Sequence, residues 1–287
     1  MEGTKIKNII IIILLLLNGF LLVPVGGRRA QNTHSRDAAL NSAVEILRSS
    51  GIALEEDVVP RDADLPALQA VRDLTLEREQ AAALLGSEVT VQARGGDVYR
   101  YESELGWLQI HSTGEFLAEF EPEAFPVGED AVKQGTRLLA ALGFEAVLRE
   151  QTEGRLVFEQ TVNGVRVLGC QAILHCRDGE VASIEAGSRV SGMIQTEQQP
   201  ASISVATALM RLYNGLNELG DIYNRIERVE PAYRLSVSLS GPARLTPVWY
   251  VKTDTGAYQM ELQSGRVSRM GGVAVPVAQA DEATEES

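Results

Sequence analysis

Cysteine and histidine are nearly missing from this chain, and their scarcity removes several chemistries at once. Its 287 residues include 2 cysteines and 3 histidines. A structural zinc site needs about four Cys or His ligands at short spacing, and no such set exists. Cys170 and Cys176 lie in Cys170-Gln-Ala-Ile-Leu-His-Cys176, which alternates like a strand. Residues six apart on a strand share a face but stand about 20 Å apart, beyond disulfide reach. They read as two small buried hydrophobes. Pairing Cys176 with His175 as ligands fails because strand neighbours point to opposite faces.

His34, His111 and His175 belong to no Ser/His/Asp pattern. The Gly-x-Ser-x-Gly elbow, His-Glu-x-x-His and Gly-rich phosphate loops are also lacking. Glu102 with Glu104, and Glu119 with Glu121, are carboxylates at strand spacing. In a chain with 39 acidic residues such pairs arise by chance, and a solvated sheet face outranks glycosidase chemistry. The chain reads as a non-enzyme, with no catalytic residue, cofactor or metal. Positive charge is scarce too: 26 basic residues give a net charge of −13. Without a Lys/Arg cluster, nucleic acid is excluded as a partner, and so is adhesion to anionic lipid.

What the chain does have is one apolar run. Residues 9–25 begin with five isoleucines and four leucines and read as a transmembrane anchor. The run is slightly short of the roughly 20 residues a membrane helix needs. Ile6 extends it if Lys7 snorkels to the headgroups. Asn18 interrupts it, and Gly19 and Pro24 weaken its outer end. The alternative is a cleaved signal, for which Lys5 and Lys7 supply a basic start. Val23-Pro24-Val25-Gly26-Gly27, however, matches Ala-x-Ala cleavage poorly. Lys5 and Lys7 precede the run and Arg28 and Arg29 follow it, so the positive-inside contrast is weak. The short N-terminal side places residues 1–8 in the cytoplasm and the long C-terminal part outside a single-pass cell membrane.

Beyond a juxtamembrane linker, residues 26–34, helices and short strands follow one another. Ser35-Arg36-Asp37 starts a helix that Gly51 stops, Ile52 to Val59 is extended, and Leu76 to Leu85 is a helix closed by Gly86. Four alternating runs, Glu88–Arg94, Val98–Glu102, Leu105–His111 and Glu115–Glu121, read as an antiparallel meander. Pro126 to Gly143 is a helix followed by strands near 144–150, 155–162, 165–176 and 180–190. Asn163-Gly164 and Asp178-Gly179 are two-residue hairpin signals, since these residues tolerate positive φ. The pattern repeats: helix Val205 to Leu219, then strands near 222–230, 232–239, 246–253, 257–263 and 266–272. The expected class is α+β, an N-terminal transmembrane helix followed by repeated helix-plus-antiparallel-sheet units. The units span 35–125, 126–195 and 200–275, with an acidic disordered tail at 276–287. In Trp249-Tyr250, one of two adjacent strand side chains faces the core and the other can line a groove.

Several segments resemble a known family. Lys5-Ile-Lys7-Asn-Ile running into Leu17-Asn18-Gly19-Phe20 resembles the N-terminus of YycI/YycH-type two-component regulatory proteins of Gram-positive bacteria. Phe158-Glu-Gln-Thr-Val-Asn163-Gly164-Val-Arg-Val167 is similar to a hairpin of those proteins and of PepSY-like modules. Glu230-Pro-Ala-Tyr233, Leu245-Thr-Pro247-Val-Trp249-Tyr250, Gly256-Ala-Tyr258 and Ser264-Gly265-Arg-Val resemble the same modules' closing sheet. The resemblance implies a non-catalytic, extracytoplasmic accessory protein that modulates a sensor histidine kinase of cell-wall homeostasis. Its partners would be the kinase and a paralogous regulatory protein. The membrane contact would use Asn18 and Gly19, a polar and a small residue of the kind that pairs helices in lipid; the competing reading is that Asn18 merely meets water. The alternative function is an extracytoplasmic peptide- or cell-wall-binding, protease-inhibitory PepSY-like module, with Trp249 and Tyr250 at its groove. A tethered hydrolase is the third and weakest reading.

Overall fold

The computed structural model describes residues 36–54, 58–59, 65–128, 130–201, 203–238, 241–262 and 264–270. The anchor at 9–25, with Asn18 and Gly19, and the tail lie outside the described residues. No described helix is long and apolar enough to cross a membrane.

The first half of the chain gives α1 (residues 36–49), β1 (Ala53–Leu54), β2 (Leu65–Val71) and α2 (Leu74–Leu85). A four-strand meander follows: β3 (Thr90–Gly95), β4 (Val98–Ser103), β5 (Gly106–Ile110) and β6 (Phe116–Phe120). Next come α3 (Ala131–Ala141), β7 (Glu145–Thr152), β8 (Arg155–Val162), β9 (Val165–Arg177), β10 (Glu180–Ala186) and β11 (Met193–Ala201). The last part holds α4 (Val205–Leu219), β12 (Arg225–Ser238), β13 (Gly241–Thr253), β14 (Ala257–Glu261) and β15 (Val267–Arg269). The class is mixed α+β, and the strands form one large sheet in two lobes.

Local chemistry explains most of these limits. Asp73, Asp130 and Ser204 cap their helices by accepting backbone N–H groups with their side chains, each worth about 0.5–2 kcal/mol. Gly220 ends α4 in the left-handed conformation. Asn163 and Gly164 both have positive φ, as do Asp178 and Gly179, and they close the β8–β9 and β9–β10 hairpins. The third helix starts at Ala131 rather than Pro126. Pro126 instead bridges Glu180, and Val127 donates to the Gly179 carbonyl.

The first lobe is an antiparallel sheet in the order β3-β4-β5-β6-β10-β9-β8-β7. Leu84 and Leu85 of α2 and Leu138 and Leu139 of α3 pack on one face, over Leu108, Phe116, Phe158, Leu174 and Ile184. Helix α3 lies close to the sheet at Gly135, where an added Cβ would stand 2.8 Å from Leu174 Cδ2. In the second lobe, Leu47 of α1 and Leu209, Leu212 and Leu216 of α4 cover Trp249, Val251, Tyr258 and Met260. The lobes join where β12 pairs parallel with the start of β9, Tyr233 opposite Val167 and Arg234 opposite Leu168. Gly169, at φ +79°, follows this junction directly.

Three expectations need correction. The units are interleaved rather than consecutive: α1 belongs to the C-terminal core, while α2 and the meander share a sheet with β7–β10. The boundary at 125 therefore cuts through one sheet. The strands expected at 222–230 and 232–239 are a single strand, β12, running through Pro231. On its β9 side that strand is laddered only at Tyr233 and Arg234, so the missing proline N–H interrupts nothing there. Finally, β2 and β11 were not expected as strands. They pair with each other, and β2 also joins β13.

Candidate binding groove

Both lobes leave one sheet face free of helices, and these faces meet in a groove of about 930 Å³. Strand alternation assigns the lining. Phe158, Ala172, Leu174 and Ile184 point under the helices, so Glu159, Gln171, Ile173 and Glu185 point the other way. From the second lobe come Tyr250, Ala257, Arg269 and Met270.

The predicted pair separates as adjacent strand residues must. Trp249 is fully buried beneath α4 and α1, its indole N–H donating to the Ile203 carbonyl at 3.4 Å. Tyr250 faces the groove. Its ring carries the Arg166 guanidinium 4.4 Å from its centroid.

Arg166 is the hub of an ionic cluster at the lobe junction. It donates through Nε and Nη2 to both carboxylate oxygens of Glu159, at 2.9 and 2.8 Å, and through Nη1 to Glu230 at 2.5 Å. Arg149 adds a third bond to Glu159 at 2.6 Å. Glu159 is 1 % exposed, and this set of donors supplies the hydrogen bonds that its buried carboxyl group cannot take from water. Burial works against the Arg166 charge, but the hydrogen bonds to Glu159 and Glu230 outweigh it and raise its pKa above that of a free guanidinium. The cluster joins β7, β8 and β9 of one lobe to β12 and β13 of the other. It orients the groove floor; its charges are satisfied internally.

Sequence reasoning missed Glu159 and Arg166, yet a signal existed. Glu159 ends the apolar run Leu156-Val157-Phe158, and the two-residue Asn163-Gly164 turn sets Thr161 opposite Arg166, two residues from Glu159. Of the carboxylate pairs, Glu102 forms an ion pair with Arg100 at 2.5 Å, and Glu119 is exposed on β6. Both cysteines are free, Cys170 buried and Cys176 half-buried. Among the described residues no group of three His, Cys, Asp or Glu side chains could hold a metal ion.

Residues 153–185 match the Fungalysin/Thermolysin Propeptide Motif, and this stretch is β8, β9 and nearly all of β10. No curated protein matches the chain. Among solved structures, one similar chain is an uncharacterized protein from Eubacterium rectale, at 10 % identity and TM-score 0.46, covering 77 % of this chain and 90 % of that one. Another is the Bacillus megaterium YpeB C-terminal domain, at 14 % identity and TM-score 0.34, covering 71 % of this chain and 100 % of that one.

Proposed function

We propose that the protein is a non-catalytic, membrane-tethered extracytoplasmic module of PepSY-like type. It holds an extended polypeptide segment in the groove and thereby restrains a protease. One observation carries this reading: the propeptide motif coincides with β8–β10, the strands that supply Glu159, Arg166, Gln171, Ile173 and Glu185 to the groove. A propeptide works by occupying its protease, which requires a preformed concave surface rather than reactive groups. The test is to titrate full-length protein, in detergent, against a thermolysin-type metalloprotease and follow peptide cleavage. The proposal predicts saturable inhibition that Ile173→Arg abolishes. Equal behaviour of the wild type and Ile173→Arg would overturn it.

A second reading follows from the apolar run and from the resemblance of Leu17-Asn18-Gly19-Phe20 to the YycI/YycH type. The anchor at 9–25 would then contact a sensor histidine kinase and adjust its output, with a paralogous regulatory protein as co-partner. Replacing residues 9–25 by an unrelated membrane helix should change kinase signalling; unchanged output would remove this reading.

A further inference from the structure

The groove carries its charge unevenly. Its cations are already engaged: Arg166 by Glu159 and Glu230, and Arg269 by Asp221. Two of its carboxylates, Glu115 and Glu185, are not so engaged, and Glu119 lies beyond its lining on the same sheet face. Glu115 and Glu119 are exposed and form no salt bridge among the described residues, and Glu185 contacts the His175 ring at 3.3 Å. Leu117 and Glu119 sit at alternate positions of β6 and Glu115 immediately precedes that strand in the same alternation, so the three project from one face about 7 Å apart. Leu117, Glu185 and Ile173 lie opposite one another across β6, β10 and β9. Leu117 is 37 % exposed, an apolar centre between carboxylates.

An extended peptide laid along β6 presents its own alternate side chains at the same spacing. Three of these alternate side chains would meet Glu115 and Leu117 in the groove and Glu119 just past its lining. We infer that the groove selects an extended cationic segment with the pattern basic-x-apolar-x-basic, where basic is Lys or Arg. This deepens the peptide-binding reading above and rests on it. The net charge of −13 adds long-range attraction for such a segment.

Fluorescence anisotropy with the full-length protein in detergent tests the inference. The probes are labelled peptides Ser-Lys-Ser-Leu-Ser-Lys-Ser, its Glu-for-Lys counterpart and its Ser-for-Lys counterpart. Each exposed charge pair multiplies affinity by up to about fivefold, so the Lys peptide should bind about tenfold more tightly than the Ser peptide, and the Glu peptide most weakly. The preference should shrink as salt is raised towards about 0.5 M. A triple variant, Glu115→Gln, Glu119→Gln and Glu185→Gln, alters exposed positions and should keep the wild-type melting temperature while losing the preference. Equal binding of the Lys and Ser peptides, or a preference that survives the triple variant, overturns the inference. If those two peptides bind equally and Leu117→Arg abolishes both, the peptide groove stands and only its charge selectivity falls. If none of the three binds, both readings fall.

Discussion

The side-chain amide of Gln160 is paired with the main chain of Val190. Its Nε2 donates to the Val190 carbonyl at 3.0 Å, and its Oε1 accepts the Val190 N–H at 2.7 Å. Gln160 sits at the register shift between Glu159 and Thr161, where β8 slips against β9. The amide therefore takes the place of a neighbouring strand and pins the segment leading from β10 to β11. Both residues are buried, so removing the amide strands a main-chain donor and acceptor away from water. Gln160→Leu should cost about 2–4 kcal/mol, two lost bonds plus the penalty for unsatisfied groups. Urea unfolding of the two proteins measures it. A loss under about 1 kcal/mol would show that Val190 finds other partners.

Glu159 and Arg166 should be strongly coupled. Glu159→Ala leaves the Arg149 and Arg166 guanidinium groups facing each other with no carboxylate between them. Both arginines keep partial access to water and Arg166 keeps Glu230, so the loss should be about 1.5–3 kcal/mol, less than for a fully buried pair. Arg166→Met leaves Glu159 with Arg149 alone and removes the link to Glu230. In a double-mutant cycle the interaction energy should exceed about 1 kcal/mol. Independent, additive losses would mean that the cluster is a set of separate surface pairs.

The elements that could be read from the sequence are those whose signals are local. The limits of α4 follow from Ser204 and Gly220, and the β8–β9–β10 hairpins follow from Asn163-Gly164 and Asp178-Gly179. What could not be read depends on partners far along the chain. Strands β2 and β11 contain Pro66 and Pro200, and β11 is rich in Gln and Glu; β2 takes its ladders from β11 and β13, and β11 takes its ladder from β2. The interleaving of α1 with α4 has no local signature, since an amphipathic stripe states that it needs a cover but not which one. The groove was half legible. Alternation separates Tyr250 from Trp249, whereas the cluster around Arg166 needs the register of one hairpin and the packing of a second lobe.

The two thiols should differ in accessibility and should never pair. Burial pushes the Cys170 thiol up to about 12, with a weak opposing contact from Ser188, and burial also raises Cys176 by a smaller step. The thiolate is the reactive form. At about pH 8, native protein treated with iodoacetamide should therefore label at Cys176 first and leave Cys170 unmodified until denaturant is added. Mass spectrometry of the peptides distinguishes the sites. A Cys170–Cys176 disulfide in the native protein would contradict the single continuous strand β9, on which both residues lie.

Glu261 provides a pH test of the second lobe. The Ser264 hydroxyl donates to its Oε2 at 2.8 Å and Arg234 Nη2 donates to its Oε1 at 2.7 Å. These bonds favour the carboxylate and, outweighing burial, hold its pKa below the ordinary value of 4.5. A carboxyl group whose pKa is lowered on folding binds fewer protons folded than unfolded between the two values, so stability falls as pH falls. Its contribution is fully present above the unfolded value and disappears as the pH drops through the folded one. Glu261→Gln, which keeps the shape but not the charge, should be less stable than wild type at neutral pH. The gap should hold steady down to about pH 5 and then narrow through the acid range as wild type takes up its proton. Urea midpoints of the two proteins across that range measure it. A gap that stayed constant into strong acid would show that the Arg234–Glu261 pair, which reaches from β12 across β13 to β14, adds nothing to stability.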